Sequence, residues 1–220
     1  MLARQIISDA IKPLRITETG EQALIFMHEY NVSLMPVVDN GNYMGLLAME
    51  DIIRLKHLSS PLSEFQQAFN KASIKEDAHI FDVMKASIEF NVKIIPVLDE
   101  DGQYLGVISA ENCLRAFASL NSIKDHGSVI DLEMPLKDFQ FSEIARVVEE
   151  NDASVLCCYT NIDQVHALAQ VTIKVNTSDV AAIVAGFERY EYTVKGVFSE
   201  TDYTEDMKDR YDSFMRYLNV

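Results

Sequence analysis

An internal repeat constrains this chain more than any other property of its sequence. Its copies lie about 60 residues apart. Glu29-Tyr30-Asn31-Val32-Ser33-Leu34-Met35-Pro36-Val37-Val38-Asp39 aligns with Glu89-Phe90-Asn91-Val92-Lys93-Ile94-Ile95-Pro96-Val97-Leu98-Asp99. The register continues as Gly41-Asn42-Tyr43-Met44-Gly45-Leu46-Leu47 against Gly102-Gln103-Tyr104-Leu105-Gly106-Val107-Ile108, with Asp101 inserted in the second turn. Each copy predicts a helix with an apolar stripe, Ala23, Leu24 and Met27 or Phe81, Met84 and Ile88. A short apolar strand follows, Leu34 to Val38 or Ile94 to Leu98, and then a Gly-containing turn. A second strand ends at Leu47 or Ile108, and a second helix carries Ile52, Ile53 and Leu55 or Leu114, Phe117 and Leu120. One copy alone leaves an apolar sheet face uncovered, so two copies should pack together.

The apolar pair before Pro36-Val37-Val38-Asp39 or Pro96-Val97-Leu98-Asp99, followed by a turn and then Gly45-Leu46-Leu47 or Gly106-Val107-Ile108, resembles the CBS motif. The motif is named after cystathionine β-synthase. The resemblance covers residues 1–122 and implies an α/β (α+β) tandem CBS pair, with motif 1 at 1–60 and motif 2 at 61–122. It also implies a regulatory ligand of adenosyl type (AMP, ADP, ATP or S-adenosylmethionine) held in clefts between the motifs, with no cofactor required.

The candidate ligand residues are Thr17, Met35, Pro36, Asp51, Ile95, Pro96, Ser109 and Asn112. A hydroxyl and free backbone N–H groups at a helix start favour a phosphate. An acid three positions later can accept both ribose hydroxyls. Adenine would lie near Met35-Pro36 or Ile95-Pro96. The copies depart from the family pattern in complementary ways. The first keeps the acid, Asp51, but has Ala48 at the hydroxyl position; the second keeps Ser109 but has Asn112 for the acid. A ligand-free reading competes: Ser109 with Asn112 is a helix cap, Asp51 complements a helix dipole, and Thr17 and Thr19 are turn and cap residues. Lys93 either reaches a phosphate or is a solvated strand-edge lysine.

Residues 123–127 read as a polar linker ending in Gly127. Beyond it the order is βαββαβ over 128–199, a ferredoxin-like layout. Strands are expected at Ser128–Met134, Val155–Tyr159, Ala167–Val175 and Tyr192–Phe198, with a turn at Thr160–Asp163. Phe141, Ile144, Val147 and Val148 form one helical stripe. Val180, Ile183, Val184 and Phe187 form another, capped by Asn176. After a CBS pair this layout resembles an ACT domain, a small regulatory module, and the whole resembles the acetoin-utilisation type of CBS protein. The family's Gly in the first strand–helix loop is missing from Met134-Pro135-Leu136-Lys137-Asp138, which favours domain pairing over an amino-acid site. Residues 200–220 space Met207, Tyr211, Phe214 and Leu218 as an amphipathic helix.

Other classes find little support. The net charge of −15 repels nucleic acid. No apolar run spans a bilayer and no signal-peptide core is visible, so a cytoplasmic location is expected. Walker, dinucleotide and nucleophile-elbow motifs are absent, so neither catalytic nor metal residues are assigned. Cys157 with His166, diagonal across a hairpin, supplies too few ligands for zinc. The expected protein is therefore a non-enzymatic, homo-oligomeric regulator (dimer or dimer of dimers). It senses an adenosyl ligand and acts in trans on another protein. A ligand-free interaction module and an amino-acid sensor are the alternatives.

Overall fold

The computed structural model describes residues 1–55, 58–120, 122–199 and 214–215. It divides into two compact units, Met1–Phe117 and Ala118–Val220. The expected tail helix lies almost entirely outside the described residues.

In the first unit each repeat builds the same three-stranded sheet. Strands β1 (Leu14–Arg15), β2 (Leu34–Asp39) and β3 (Asn42–Ala48) form one; β4 (Ile74–Lys75), β5 (Ile94–Leu98) and β6 (Tyr104–Ser109) form the other. The hairpins were legible from their turns, but β1 and β4 were not, because two residues give no period. Each pairs in parallel with the strand after its helix, Leu14 with Val37 and Ile74 with Val97. Helices α1 (Gly20–Glu29) and α3 (Ile80–Glu89) precede the hairpins; α2 (Met49–Leu55) and α4 (Ala110–Leu120) follow them. The first stripe is as expected in part: Ala23 and Met27 are fully buried. The second is not. Phe81 and Ile88 are 61% and 80% exposed, and α3 instead buries Ile80, Val83 and Ala86. A stripe started one residue late is turned by 100°, enough to exchange the inner and outer faces. Likewise α2 buries Ile52 and exposes Ile53, and α4 buries Cys113 and Ala116 while Leu114 and Leu120 face outward.

The two repeats exchange their leading segments. Residues before β1 dock on the second repeat: Ala3 N–H donates to Ala78 O and Arg4 N–H to Glu76 O, and Ser8 and Val107 exchange backbone bonds. Residues before β4 dock on the first: Leu62 N–H donates to Glu18 O, Ser63 N–H to Ile16 O, and Asn70 and Leu46 exchange bonds of 2.8 and 2.9 Å. Accordingly Ala3 packs in the second core, while Leu62, Phe65 and Phe69 pack in the first. The exchange covers the outer edges of β3 and β6, which would otherwise present unpaired backbone groups. Gly45 and Gly106 sit at these crossings with φ of +141° and +152°. The symmetry fails at one pair: Tyr43 donates its hydroxyl to Ala72 O at 2.7 Å, while the buried Tyr104 hydroxyl has no partner among the described residues. Burial pushes both phenols far above their ordinary range.

The second unit is a four-stranded antiparallel sheet, β7 (Ser128–Pro135), β8 (Val155–Asp163), β9 (Leu168–Val175) and β10 (Thr193–Ser199), in the order β10-β7-β9-β8. Helices α5 (Phe141–Glu149) and α6 (Ala181–Arg189) complete βαββαβ. Ile144, Val147, Val148, Ile183 and Phe187 meet Ile130, Leu132, Val171 and Ile173 in one core. Three local expectations change. Thr160 to Asp163 continue β8, and the chain turns at 164–167, where Asp163 accepts from the N–H of Val165 and of His166. Asn176 caps no helix; its Oδ1 accepts from Ser154 N–H at 2.7 Å, tying two loops together. Cys157 lies opposite Lys174, while the His166 ring meets Asp163 Oδ2 at 2.7 Å. The two do not meet, and no cluster among the described residues could hold a metal.

Candidate functional site

The widest difference between the repeats lies at the starts of α2 and α4. In the second repeat Ser109 and Asn112 satisfy one another. Asn112 Oδ1 accepts from Ser109 N–H at 3.0 Å and from the Ser109 hydroxyl at 2.8 Å, and Ser109 Oγ accepts from Asn112 N–H at 3.1 Å. This is a reciprocal cap of the kind that stabilises a helix start by about 1 kcal/mol. Asn112→Ala is therefore expected to lower stability by about 1 kcal/mol, as denaturant unfolding will show.

In the first repeat nothing equivalent closes. Ala48 has no hydroxyl to offer, and the half-buried Asp51 carboxylate enters no hydrogen bond or ion pair with the described residues. It lines a cleft of about 490 Å³, within the size range of small-molecule sites. Leu34, Leu46 and Ala48 form its apolar floor. They share one face of the hairpin because Leu34 pairs with Ala48 and Pro36 with Leu46. Asn70 comes from the exchanged segment, and Phe90, Asn91 and Lys93 come from the second repeat. Both copies thus build the cleft, and neither has it alone.

The other expected site residues are dispersed. Met35 and Ile95 are each 1% exposed and point into the cores of their own repeats. Alternation sends the neighbour Leu34 to the cleft instead. Pro36 is buried on the Leu34 face and Pro96 is buried beside Val107. Thr17 lines a separate hollow of about 310 Å³ with Arg15, Asp39 and Asn40. Thr19 caps α1, its Oγ1 accepting from Gln22 N–H. Asn70 and Phe90 were missed. Phe90 lies within the aligned segment, opposite Tyr30, and Asn70 lies outside both copies of it, and neither position signals a cleft until the exchange is known.

The second unit has a cavity of about 470 Å³ beside the Met134–Asp138 loop, lined also by Glu143, Tyr190, Glu191 and Tyr192. The Tyr192 hydroxyl donates to Glu143 Oε2 at 3.0 Å, and burial, with that carboxylate second, pushes the phenol up to about 12.

The family described as "CBS domain" matches residues 3–57 and 70–119. An uncharacterised protein from Methanocaldococcus jannaschii is 27% identical over 136 residues, 52% of this chain and 47% of that protein. A CBS domain-containing protein from Dictyostelium discoideum is 23% identical over 134 residues, 52% of this chain and 89% of its own length. The chain thus spans about half the length of the first of these relatives. Among solved structures, a CBS domain pair/ACT domain protein from Thermotoga maritima aligns with a TM-score of 0.49 and 20% identity, covering 54% of this chain and 98% of that one. No helix among the described residues is long and apolar enough to cross a membrane. CBS pairs generally bind adenosine ligands and serve regulation. With two matched repeats and two matching sheets, the chain belongs to the CBS-domain family, as a tandem CBS pair followed by a βαββαβ unit.

Proposed function

We propose that this protein is an adenosyl-ligand sensor that works through a single cleft, the one lined by Asp51, and regulates another protein in trans. The observation that carries this reading is the Asp51 carboxylate, which has no partner among the described residues and faces a cleft to which both repeats contribute. A carboxylate accepts two hydroxyl bonds at once, as a ribose 2′,3′-diol offers them. An apolar floor of Leu34, Leu46 and Ala48 suits a purine face. Because Asp51 and Lys93 reach the cleft from different repeats, a ligand there ties the packing of the pair to its own occupancy. Calorimetric titration of the full chain with adenosine, AMP, ADP, ATP and S-adenosylmethionine tests it. Saturable binding of at least one supports the reading. Folded protein that gives no heat with any of them overturns it in favour of a ligand-free interaction module.

Self-association belongs to the same proposal. Phe81 and Ile88 on α3 and Leu114 on α4 are 61%, 80% and 67% exposed, and large apolar side chains left outward on helices mark contact surfaces. Ile88→Glu combined with Leu114→Glu is expected to convert a dimer into a monomer, as light scattering after size exclusion will report. A second reading attaches to the ACT-like unit. Its cavity sets Lys137 beside Asp138, Glu143 and Glu191, charges that match a zwitterionic amino acid. Under that reading, heat from a mixture of free amino acids is lost in Lys137→Ala; no heat from the wild type removes it.

A further inference from the structure

The charges around the Asp51 cleft decide which adenosyl compound it accepts, an inference that rests on the proposed adenosyl function. Among the described residues, the ionisable side chains lining the cleft are Glu50, Asp51 and Lys93, two carboxylates against one cation. Lys93 is exposed, so solvent screens much of its attraction for an anion. Arg54 lies outside the lining and faces Glu50 at 3.8 Å, with both side chains largely in solvent. Two of the groups that normally greet a phosphate are missing or engaged. Position 48 is Ala, and the first N–H of α2, from Met49, already donates to Ser33 O at 2.9 Å. Asn70 Oδ1 accepts from Ala72 N–H at 2.9 Å, so its amide can offer the cleft only an uncharged donor. A di- or triphosphate chain entering here meets two carboxylates and a single screened ammonium, within a chain of net charge −15.

The geometry points to a cleft that selects adenosyl compounds with a neutral or cationic 5′ substituent, of the sulfonium type, over those carrying a polyphosphate. Asp51 accepts the ribose hydroxyls, and Glu50, itself exposed and facing Arg54, adds a screened negative charge at the rim that tips the balance towards positive charge at the 5′ side. Lys93 offers one contact for a carboxylate or a single phosphate.

The test is calorimetry of the full chain at low ionic strength with S-adenosylmethionine, adenosine, AMP and metal-free ATP, on the wild type and Glu50→Gln. S-adenosylmethionine is expected to bind at least about tenfold more tightly than ATP, and Glu50→Gln to narrow that ratio about threefold. Raising salt should weaken S-adenosylmethionine and leave adenosine little changed. ATP binding as tightly as S-adenosylmethionine, or a ratio that Glu50→Gln does not move, overturns this selectivity while leaving the adenosyl reading in place. Failure of all four compounds to bind folded protein overturns both.

Discussion

Asp51→Ala is expected to weaken adenosyl binding about 100-fold while leaving the thermal midpoint nearly unchanged. Hydrogen bonds to a charged acceptor contribute about 1.5–3 kcal/mol each. Losing a bidentate pair, partly replaced by water, removes about 3 kcal/mol, or two decades in Kd. The fold should not register the change, because the carboxylate makes no bond to the described residues. That separation gives the experiment its force. A structural acid would shift the midpoint and leave titration heats alone; a ligand acid does the reverse. Asn112→Ala is the internal control, since its bonds go to Ser109 and not to a cleft. An Asp51→Ala protein that still binds at wild-type affinity would move the site elsewhere.

Gly45→Ala is expected to destabilise the first unit by about 2–5 kcal/mol and to weaken ligand binding with it. The residue has φ +141°, where an L side chain is strained, and such conformations cost about 1–3 kcal/mol. A Cβ there would lie 2.7 Å from Phe69 Cβ and 3.0 Å from Asn70 O. Neither atom is the free end of a flexible chain, so the exchanged segment itself must shift, with an overpacking penalty of about 1–3 kcal/mol. Asn70 holds Leu46 by two backbone bonds and lines the cleft. The same displacement therefore opens the β3 edge and distorts the site. Denaturant unfolding of the variant measures the first effect and calorimetry the second. A variant with wild-type stability would mean that the crossing at Gly45 is looser than its geometry implies.

Much of this protein was present in its residues. The repeat predicted two hairpin-centred copies, and the alternation of Ala167, Ala169, Val171, Ile173 and Val175 predicted a sheet with one covered face, which is found from Ala169 onward, Ala167 lying exposed in the turn before β9. Of the Phe141, Ile144, Val147 and Val148 stripe the last three are buried, while Phe141, at the start of α5, is 48% exposed. Signals of this kind are local: a side chain's period reports which face of its own element meets apolar surroundings. Where the period was ambiguous the reading slipped, as on α3, where Phe81 and Ile88 face outward. The turn after β8 slipped as well, because Thr160, Asn161 and Asp163 are polar yet pair with β9.

Asp51 was visible in the sequence as a carboxylate at a ribose-type position, and Ala48 and Asn112 as departures from the family pattern. Residue identity alone could not determine which of these polar groups was already engaged. Ser109 and Asn112 close on each other three residues apart, a bond that residue identity permits but does not require. Asp51 is left open because its neighbour at 48 is a methyl group. The rest of the cleft needed the exchange of leading segments. Asn70 reaches Leu46 and Lys93 reaches Asp51's cleft only because the two copies pack with their edges covered by one another. Periodicity determined what each repeat would be. Only the packing of one repeat on the other, with contacts far apart in the chain, decided where a ligand could lie between them.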